Sequence, residues 1–226
     1  MIRVDDVLIG AVRPLGPKGI ASGIAKQAVD RQIRLETLGF VGDEQGDTRH
    51  HGGPDKAVHH YPQEHYAAWR DEVEAVDLLA RPGAFGENVA TSGLTENEVA
   101  VGDRFRLGTA LVEVSQGRQP CFRLNLRFAV KDMALRMQQS GRTGWYYRVI
   151  EPGLVAPGDA LELVDRRAPD WTIARLWRLL YVDVLDREAL AAMIALEHLP
   201  ERWREIGQAR LQRGEVEDWD RRLKGE

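Results

Sequence analysis

The sequence lacks a second cysteine. Cys121 is the single cysteine among 226 residues, so no disulfide can form within the chain. A lone thiol suits a reducing compartment and leaves the sulfur available for metal binding or nucleophilic chemistry. Asp5 and Asp6 interrupt the stretch that would have to be the apolar core of a secretory signal peptide. We therefore expect a cytoplasmic protein.

Long apolar runs and an excess of positive charge are also missing. A membrane-spanning helix needs about 18 uninterrupted apolar residues, and the sequence has no such run. The net charge of −4 gives no basis for binding a nucleic acid polymer, which usually requires a strongly basic surface. The basic stretches at 166–178 and 202–213 contain interleaved acidic residues, so we interpret them as solvated helix faces. The sequence thus predicts a globular protein that binds neither membranes nor nucleic acid polymers.

The first 165 residues or so predict short strands separated by turns. Apolar residues alternate along 99–114, for example at Phe105 and Leu107, which is the period of half-buried strands. Gly-Asp pairs at 102–103 and 158–159 are typical of the turns before such strands. A closed barrel buries many short strands without leaving exposed edges. We therefore predict a mainly β domain over residues 1–168.

Two helices are predicted inside this β region. The first follows Pro62 and is indicated by apolar residues at helical spacing: Tyr66, Trp69, Val73 and Val76. The second runs from about Phe122 through Met137 and stops at Gly141.

The C-terminal part, residues 169–226, predicts three helices. The first carries an apolar stripe after Pro169. Asp186 can cap a second helix that ends near His198, and Pro200 suits the first turn of a third. We expect these helices to form a small domain beside the barrel.

The segment SQGRQPCFRLN, residues 115–125, ends a predicted strand and begins a predicted helix. This places Cys121 near a helix N-terminus, where backbone N–H groups favour an ionised sulfur. Arg118 and Arg123 add positive charge nearby. A thiolate can ligate a soft metal or act as a nucleophile. The alternative interpretation is that Cys121 is simply a small apolar side chain buried in the core.

A second segment, GDEQGDTRHHGGPDKA at 42–57, is dense in polar groups. Its glycines allow a backbone to approach a ligand, and Arg49, His50, His51 and Lys56 can donate hydrogen bonds to an anion. Five of the six histidines fall between positions 50 and 65, but their spacing matches no zinc pattern. The segment favours an anion site over a zinc site.

Two more glycine-rich turns and one lysine complete the candidates. RPGAFGENV at 81–89 predicts a tight barrel connection from which Glu87 or Asn88 can line a site. In GRTGWYYRV at 141–149, Arg142 and Thr143 can meet a phosphate, while Trp145 suits the core better than a pocket wall. Lys26 follows the glycine-containing stretch at 22–25, and a lysine in such a place is usually just solvated.

Taken together, these segments resemble the MOSC domain family, and specifically its YiiM-like branch. The motifs that carry the resemblance are GDEQGDTRHHGGPDKAVHHYPQEHYAAW, PGAFGENV, VSQGRQPCFRLNLRF and GRTGWYYRVIEPGLVAPGD. It extends from about Ile2 to the helical tail. The resemblance implies a β-barrel with inserted helices, a C-terminal three-helix domain, and a molybdenum cofactor (molybdopterin) held through one cysteine, here Cys121.

The resemblance also implies an activity, because YiiM-like proteins are linked to reduction of N-hydroxylated bases such as 6-N-hydroxylaminopurine. We expect a reductive dehydroxylation with Cys121 as the metal ligand and Asp47 or His51 delivering protons. The expected cofactor-binding residues are Lys26, Arg49, His50, His51, Gly52, Lys56, Arg118, Arg142 and Thr143. No flavin or nicotinamide motif is present, so electrons are expected from an external flavoprotein or iron–sulfur partner.

Two other functions stay open from the sequence. Cys121 could carry a persulfide and pass its sulfur to a metal centre elsewhere. Alternatively, the chain could be a non-catalytic module that recognises an anionic or purine ligand. The sequence is compatible with a monomer or a homodimer.

Overall fold

The structure is a computed structural model that describes residues 1–75 and 77–225, except for the side chains of Arg49 and His50. The strands are β1 (Ile2–Ile9), β2 (Arg13–Leu15), β3 (Ile20–Ser22), β4 (Gln27–Val29), β5 (Ile33–Glu36), β6 (Gly39–Phe40), β7 (Val58–Pro62), β8 (Val89–Thr91), β9 (Arg104–Leu107), β10 (Ala110–Gly117), β11 (Trp145–Glu151), β12 (Gly153–Val155) and β13 (Ala160–Asp165). The helices are α1 (Thr48–His51), α2 (Glu64–Glu72), α3 (Arg123–Phe128), α4 (Met133–Ser140), α5 (Ile173–Tyr181), α6 (Arg187–Ile194), α7 (Glu201–Arg213) and α8 (Asp220–Lys224).

The main sheet closes into a barrel of seven strands. Their order is β13-β9-β10-β11-β7-β8-β1, and β1 pairs back onto β13. Neighbouring strands are antiparallel except β7 and β8, which are parallel. Strand β4 pairs with β1 beside the ring, β5, β6 and β12 form a small separate sheet, and β2 and β3 form a hairpin. The predicted barrel with inserted helices is therefore confirmed.

The barrel and the C-terminal helices share one hydrophobic core. In β9 the alternation seen in the sequence is real, because Phe105 and Leu107 are buried between partly exposed neighbours. Every residue of β10 is buried, since helices cover its outer face: a Cβ at Gly117 would contact Ile173 and Trp203. The polar residues of this strand are buried as well and have partners: Glu113 accepts a hydrogen bond from Arg148 at 2.8 Å, and the Ser115 hydroxyl donates to Asp55 O at 2.6 Å.

The first inserted helix is shorter than predicted. Helix α2 ends at Glu72, and Val73 already has extended backbone angles. Val76, which we expected to continue the helical stripe, lies outside the described residues.

The second predicted helix is two helices, α3 and α4. Ala129 interrupts them with a left-handed backbone, φ 54°, and the Asn125 side chain accepts a hydrogen bond from Ala134 N near the start of α4 at 2.8 Å. The expected stop at Gly141 is confirmed, since this residue ends α4 with φ 74°. A non-glycine residue with positive φ is uncommon, which is why the sequence did not indicate the break.

The C-terminal helices begin close to the predicted positions. Thr172, three residues after Pro169, caps α5, and Asp186 caps α6 by accepting a hydrogen bond from Ala189 N at 3.0 Å. Helix α6 ends four residues before His198. The short helix α8 was not predicted.

The boundary between the two predicted domains, after residue 168, stays a prediction.

None of the helices in the described part of the chain has the length and hydropathy that a membrane-spanning segment needs.

Candidate functional site

A cleft opens beside the barrel where six segments meet: the β3–β4 connection, the 43–47 loop, the 51–59 segment, the 85–88 turn, the connection from β10 to α3, and β11. It encloses about 600 Å³, including its open mouth. Its polar and charged lining includes Lys26, Asp43, Asp47, His51, Lys56, His59, Asn88, Arg118, Cys121, Arg123 and Tyr146. The fold thus brings together residues from several of the motifs that the sequence singled out.

Two glycines bring the first two segments into backbone contact. A Cβ at Gly23 would collide with the Glu44 carbonyl oxygen, and one at Gly46 would collide with the Ala21 carbonyl. No side chain fits at either position. These two glycines therefore allow two backbone segments to pack closely at the wall of the cleft.

Cys121 lies in the connection between β10 and α3. Its side chain lines the cleft although the residue is only 8% exposed. The Cys121 carbonyl accepts a hydrogen bond from Leu124 N at 2.9 Å, so the cysteine adjoins the first turn of α3. The sulfur is therefore enclosed by polar groups of the cleft and is not sealed in an apolar core.

His51 stands between this sulfur and a carboxylate. His51 Nε2 lies 3.3 Å from Cys121 Sγ, and His51 Nδ1 lies 3.5 Å from Asp47 Oδ2. Burial, together with the charges of Arg123 and Lys56, lowers the pKa of His51 to about 4, although the Asp47 carboxylate raises it. His51 is therefore a neutral imidazole at neutral pH.

Lys26 reaches the cleft already paired with a carboxylate. Its ammonium forms a buried ion pair with Asp43, and burial lowers the pKa of Lys26 although Asp43 raises it. The same carboxylate accepts hydrogen bonds from Asn88 Nδ2 at 2.9 Å and Gly10 N at 2.8 Å. The Lys26 charge is thus largely compensated within the protein, which the sequence did not indicate.

Arg118 differs, because it is a buried cation with no carboxylate partner within the described residues. It is 7% exposed, and its Nη1 donates to the weak acceptor Met137 Sδ at 3.2 Å. Burial and the Arg118 charge together lower the pKa of His59 well below its usual range. Burial raises the pKa of Tyr146, with Arg118 opposing it. A positive charge surrounded by neutral groups is an arrangement that attracts an anion.

His59 and Tyr146 were not predicted as site residues. The two residues are directly paired on the neighbouring antiparallel strands β7 and β11, and their ring centroids lie 5.0 Å apart. The backbone of Gly86 and Thr143 lies close enough to raise the pKa of the His59 ring, against the larger effect of burial, but Nε2 is buried without a well-formed hydrogen bond to any described residue. Only the strand register brings these two rings together, so no local sequence signal could have identified them.

Glu87 lies behind the cleft and shapes one of its walls. Its carboxylate accepts hydrogen bonds from Gly83 N at 2.7 Å, Phe85 N at 3.1 Å and the Tyr66 hydroxyl. These bonds fix the turn from which Phe85 and Asn88 reach the cleft. Of the two residues expected in this turn, Asn88 lines the cleft and Glu87 supports it.

The structure does not bring Arg142 and Thr143 to the cleft. The Arg142 guanidinium pairs with Glu72 at 2.6 Å and stacks over the Trp69 ring at 3.8 Å from its centroid. The Thr143 hydroxyl donates to Gly144 O at 3.1 Å. Neither residue is among those that line the cleft, so the described geometry does not support their predicted phosphate contact.

Of the four other residues predicted to bind the cofactor, one lines the cleft. Lys56 lines the cleft, and burial together with the Arg202 charge lowers its pKa. Gly52 packs against Gln45 and Thr48 and is not among the lining residues. The side chains of Arg49 and His50 lie outside the described residues.

A metal cluster of protein ligands is not evident. Within residues 1–75 and 77–225, apart from the undescribed side chains, no group of three or more His, Cys, Asp or Glu side chains is arranged to hold a metal ion. The soft donor in the described cleft is the Cys121 sulfur.

Comparison with known proteins identifies the family. Residues 47–162 match the MOSC domain, and residues 171–214 match the YiiM-like 3-alpha helix domain. The chain is 42% identical to protein YiiM of Escherichia coli (strain K12) over 221 residues, which is 97% of both chains. The crystal structure of YiiM from Escherichia coli matches with a TM-score of 0.80 and 38% identity, covering 94% of this chain and 98% of that one.

A third relative is longer. Over 162 residues, 71% of this chain, the sequence is 38% identical to a protein from Gibberella moniliformis named reductase, and the match covers 29% of that protein. The barrel, the helical tail and these matches lead to one conclusion: the chain belongs to the MOSC domain family, in its YiiM-like branch.

Proposed function

We propose that the protein is a cytoplasmic, molybdenum-cofactor-dependent reductase of N-hydroxylated bases such as 6-N-hydroxylaminopurine. The overall reaction is R–NHOH + 2 e⁻ + 2 H⁺ → R–NH₂ + H₂O. Membership of the YiiM-like branch and the relative named reductase support it. The observation that carries the proposal is the Cys121 sulfur, which lies in a cleft 3.3 Å from a neutral His51. The free thiol supports a reducing, cytoplasmic location.

Three features of the cleft fit an anionic, sulfur-containing pterin. Cys121 supplies one soft ligand of the kind that molybdenum accepts. Arg118 supplies a buried positive charge without a carboxylate partner, and burial of such a charge is unfavourable until an anion compensates it. His59 Nε2 supplies a buried polar atom that lacks a well-formed hydrogen bond to any described residue. We therefore assign cofactor contacts to Cys121, Arg118 and His59, with Lys56 at the rim.

The bound cofactor would supply a metal that changes its oxidation state by two and accepts oxygen, while the protein supplies position and protons. Cys121 must lose its proton to become a ligand, and His51 Nε2 is placed to accept it. The negative charge of an anionic ligand raises the pKa of a neighbouring histidine. His51 would then titrate closer to neutral pH and could return a proton to the departing hydroxyl group. Asp47 would orient the ring from its Nδ1 side.

We propose that the electrons come from a separate flavoprotein or iron–sulfur partner. The segment matched in the Gibberella moniliformis reductase is 29% of that protein. Most of that reductase therefore lies outside the part that resembles this chain. This supports an electron-supplying module distinct from the barrel.

The proposal is tested by Cys121→Ser in protein loaded with the molybdenum cofactor. Conversion of 6-N-hydroxylaminopurine to adenine is followed with a chemical reductant, so that no partner protein is needed. We expect loss of turnover, because a neutral hydroxyl is a poor replacement for a thiolate ligand. Thermal unfolding of both proteins controls for folding, since the substitution changes one atom. Undiminished turnover would end the proposal.

A sulfur-carrier function is the second candidate, because the pairing of Cys121 with His51 also suits a nucleophilic cysteine. In that case Cys121 would bear a persulfide and transfer its sulfur to another acceptor. Metal analysis separates the two functions. A carrier need not retain molybdenum, whereas the reductase must.

A further inference from the structure

The C-terminal strap, residues 215–225, connects the helical region to the segment that carries Cys121. It follows α7 and includes α8. The match to the YiiM-like 3-alpha helix domain ends at residue 214, so the strap lies beyond the three helices that define that domain.

Arg222 of the strap holds both peptide groups that flank Cys121. Its side-chain Nη1 donates to the Pro120 carbonyl at 2.6 Å, and its own carbonyl accepts a hydrogen bond from Phe122 N at 2.8 Å. The first group belongs to the peptide bond before Cys121 and the second to the peptide bond after it. One residue of the strap thus fixes the backbone on either side of the sulfur-bearing residue.

Neighbouring contacts strengthen this attachment. The second terminal nitrogen of Arg222 donates to Gln138 Oε1 at 2.6 Å, which orients the guanidinium. The Leu223 carbonyl accepts from Asn125 Nδ2 at 2.8 Å, while the Leu223 side chain packs in the core beneath α3. Gly225 lies so close to the Phe122 ring that a Cβ would be 2.8 Å from it.

The other end of the strap is tied to the helical region. Arg210, only 1% exposed, donates to both carboxylate oxygens of Glu217 at 2.9 and 2.8 Å. The Trp219 ring meets Tyr181 edge-on at 5.4 Å between centroids. The Tyr181 hydroxyl in turn accepts from Gln119 Nε2 at 3.3 Å. The helices therefore anchor both the strap and the cysteine segment.

We infer that Arg222 is a positioning residue for Cys121, and that the strap holds the sulfur at its place beside His51 and Arg118. The consequence for reduction rests on the proposed function, but the positioning itself does not. The helical region thereby gains a role at the cleft although the strap is not among the residues that line it.

The single cysteine makes the inference directly measurable. Iodoacetamide alkylation of the 226-residue chain, prepared without cofactor, reports only on Cys121. We expect Arg222→Ala to accelerate alkylation about tenfold, equivalent to about 1.4 kcal/mol, because the side-chain bonds to Pro120 and Gln138 are lost. Arg222→Lys should be intermediate, since a lysine is a single point donor. Arg221→Ala, an exposed arginine in the same helix, is the matched control and should leave the rate unchanged.

Hydrogen exchange separates positioning from general stability. In Arg222→Ala we expect faster exchange in peptides that cover residues 118–128 and unchanged exchange in those that cover α6. Equal alkylation rates for the two alanine variants, or faster exchange along the whole chain, would overturn the inference. Molybdenum content is the third readout and should fall in Arg222→Ala alone. If the unsubstituted protein never retains molybdenum while alkylation and exchange change as expected, the proposed function fails and the positioning role stands.

Discussion

The replacement of Arg118 by methionine tests whether the cleft is built for an anion. Arg118 and Arg210 are both almost fully buried. Arg210 donates to both carboxylate oxygens of Glu217 and to Leu180 O. Arg118 contacts neutral groups, the thioether of Met137 and the hydroxyl of Tyr146, and no carboxylate within the described residues. The two arginines therefore form a matched pair in which one charge is compensated and the other is not.

The expected changes in stability have opposite signs. Arg118→Met removes a charge whose desolvation is not offset, so we expect the free energy of unfolding of the cofactor-free chain to rise by about 1–3 kcal/mol. Arg210→Met breaks charge-assisted bonds and leaves backbone carbonyls without donors, so we expect a loss of about 2–4 kcal/mol. The lower part of that range is expected because Glu217 is 41% exposed and can be rehydrated.

Urea unfolding of the cofactor-free proteins measures both values, and cofactor retention is measured in parallel. We expect Arg118→Met to be more stable but to retain less molybdenum cofactor, as is common where a functional site carries an unfavourable charge. If Arg118→Met loses as much stability as Arg210→Met, Arg118 is a satisfied structural residue. The assignment of an anion site to it would then be refuted.

Three further predictions concern pH, the neutral histidine and the buried glutamate. Burial lowers the pKa of His60 to about 3, so as the pH falls below about 6.5 only the unfolded chain protonates this histidine. The free energy of unfolding should therefore drop by about 2 kcal/mol per fully buried histidine between about pH 7 and about pH 5. Equal urea midpoints at the two pH values would contradict this. His51→Gln should slow alkylation of Cys121 about fivefold at neutral pH, because the base beside the thiol is lost. His65→Gln is the control and should leave the alkylation rate unchanged. Equal rates in the two variants would show that His51 does not act as a base toward Cys121. Glu87→Gln should lower the free energy of unfolding by about 1–3 kcal/mol, because the amide N–H of glutamine would face backbone N–H groups that need an acceptor. Thermal or urea unfolding measures the change. An unchanged value would show that the carboxylate is dispensable.

Local patterns in the sequence identify most of the barrel. The alternation at Phe105 and Leu107 is visible because β9 has one solvated face, and the Gly-Asp pairs mark turns that the backbone requires. Asp186 and Gly141 fix helix ends through chemistry confined to a few neighbouring residues. Such signals do not depend on distant parts of the chain, which is why the sequence alone indicates these elements.

Other features depend on distant contacts and could not be predicted. Ala129 adopts a left-handed backbone, and Asn125 caps the following helix; neither residue type indicates this by itself. Helix α8 is a single short turn whose stability comes from the cysteine segment that it contacts, since isolated short helices are marginal.

Charge compensation in the cleft also depends on tertiary structure. From the sequence, Lys26 and Arg118 are equivalent candidates for binding an anion. The structure distinguishes them because Asp43, 17 residues away, pairs with Lys26, whereas Arg118 has no carboxylate partner in the described chain. The resemblance to the MOSC family identified Cys121, but only the folded chain places His51 beside its sulfur.

The proposed function depends on Cys121 holding a molybdenum cofactor in this cleft. The direct measurement is elemental and pterin analysis of the protein and of its Cys121→Ser variant, both purified from a host that makes the cofactor. We expect molybdenum and pterin together in the unsubstituted protein and a loss of molybdenum in the variant. Equal molybdenum content in the two proteins, or its absence from both, would contradict it.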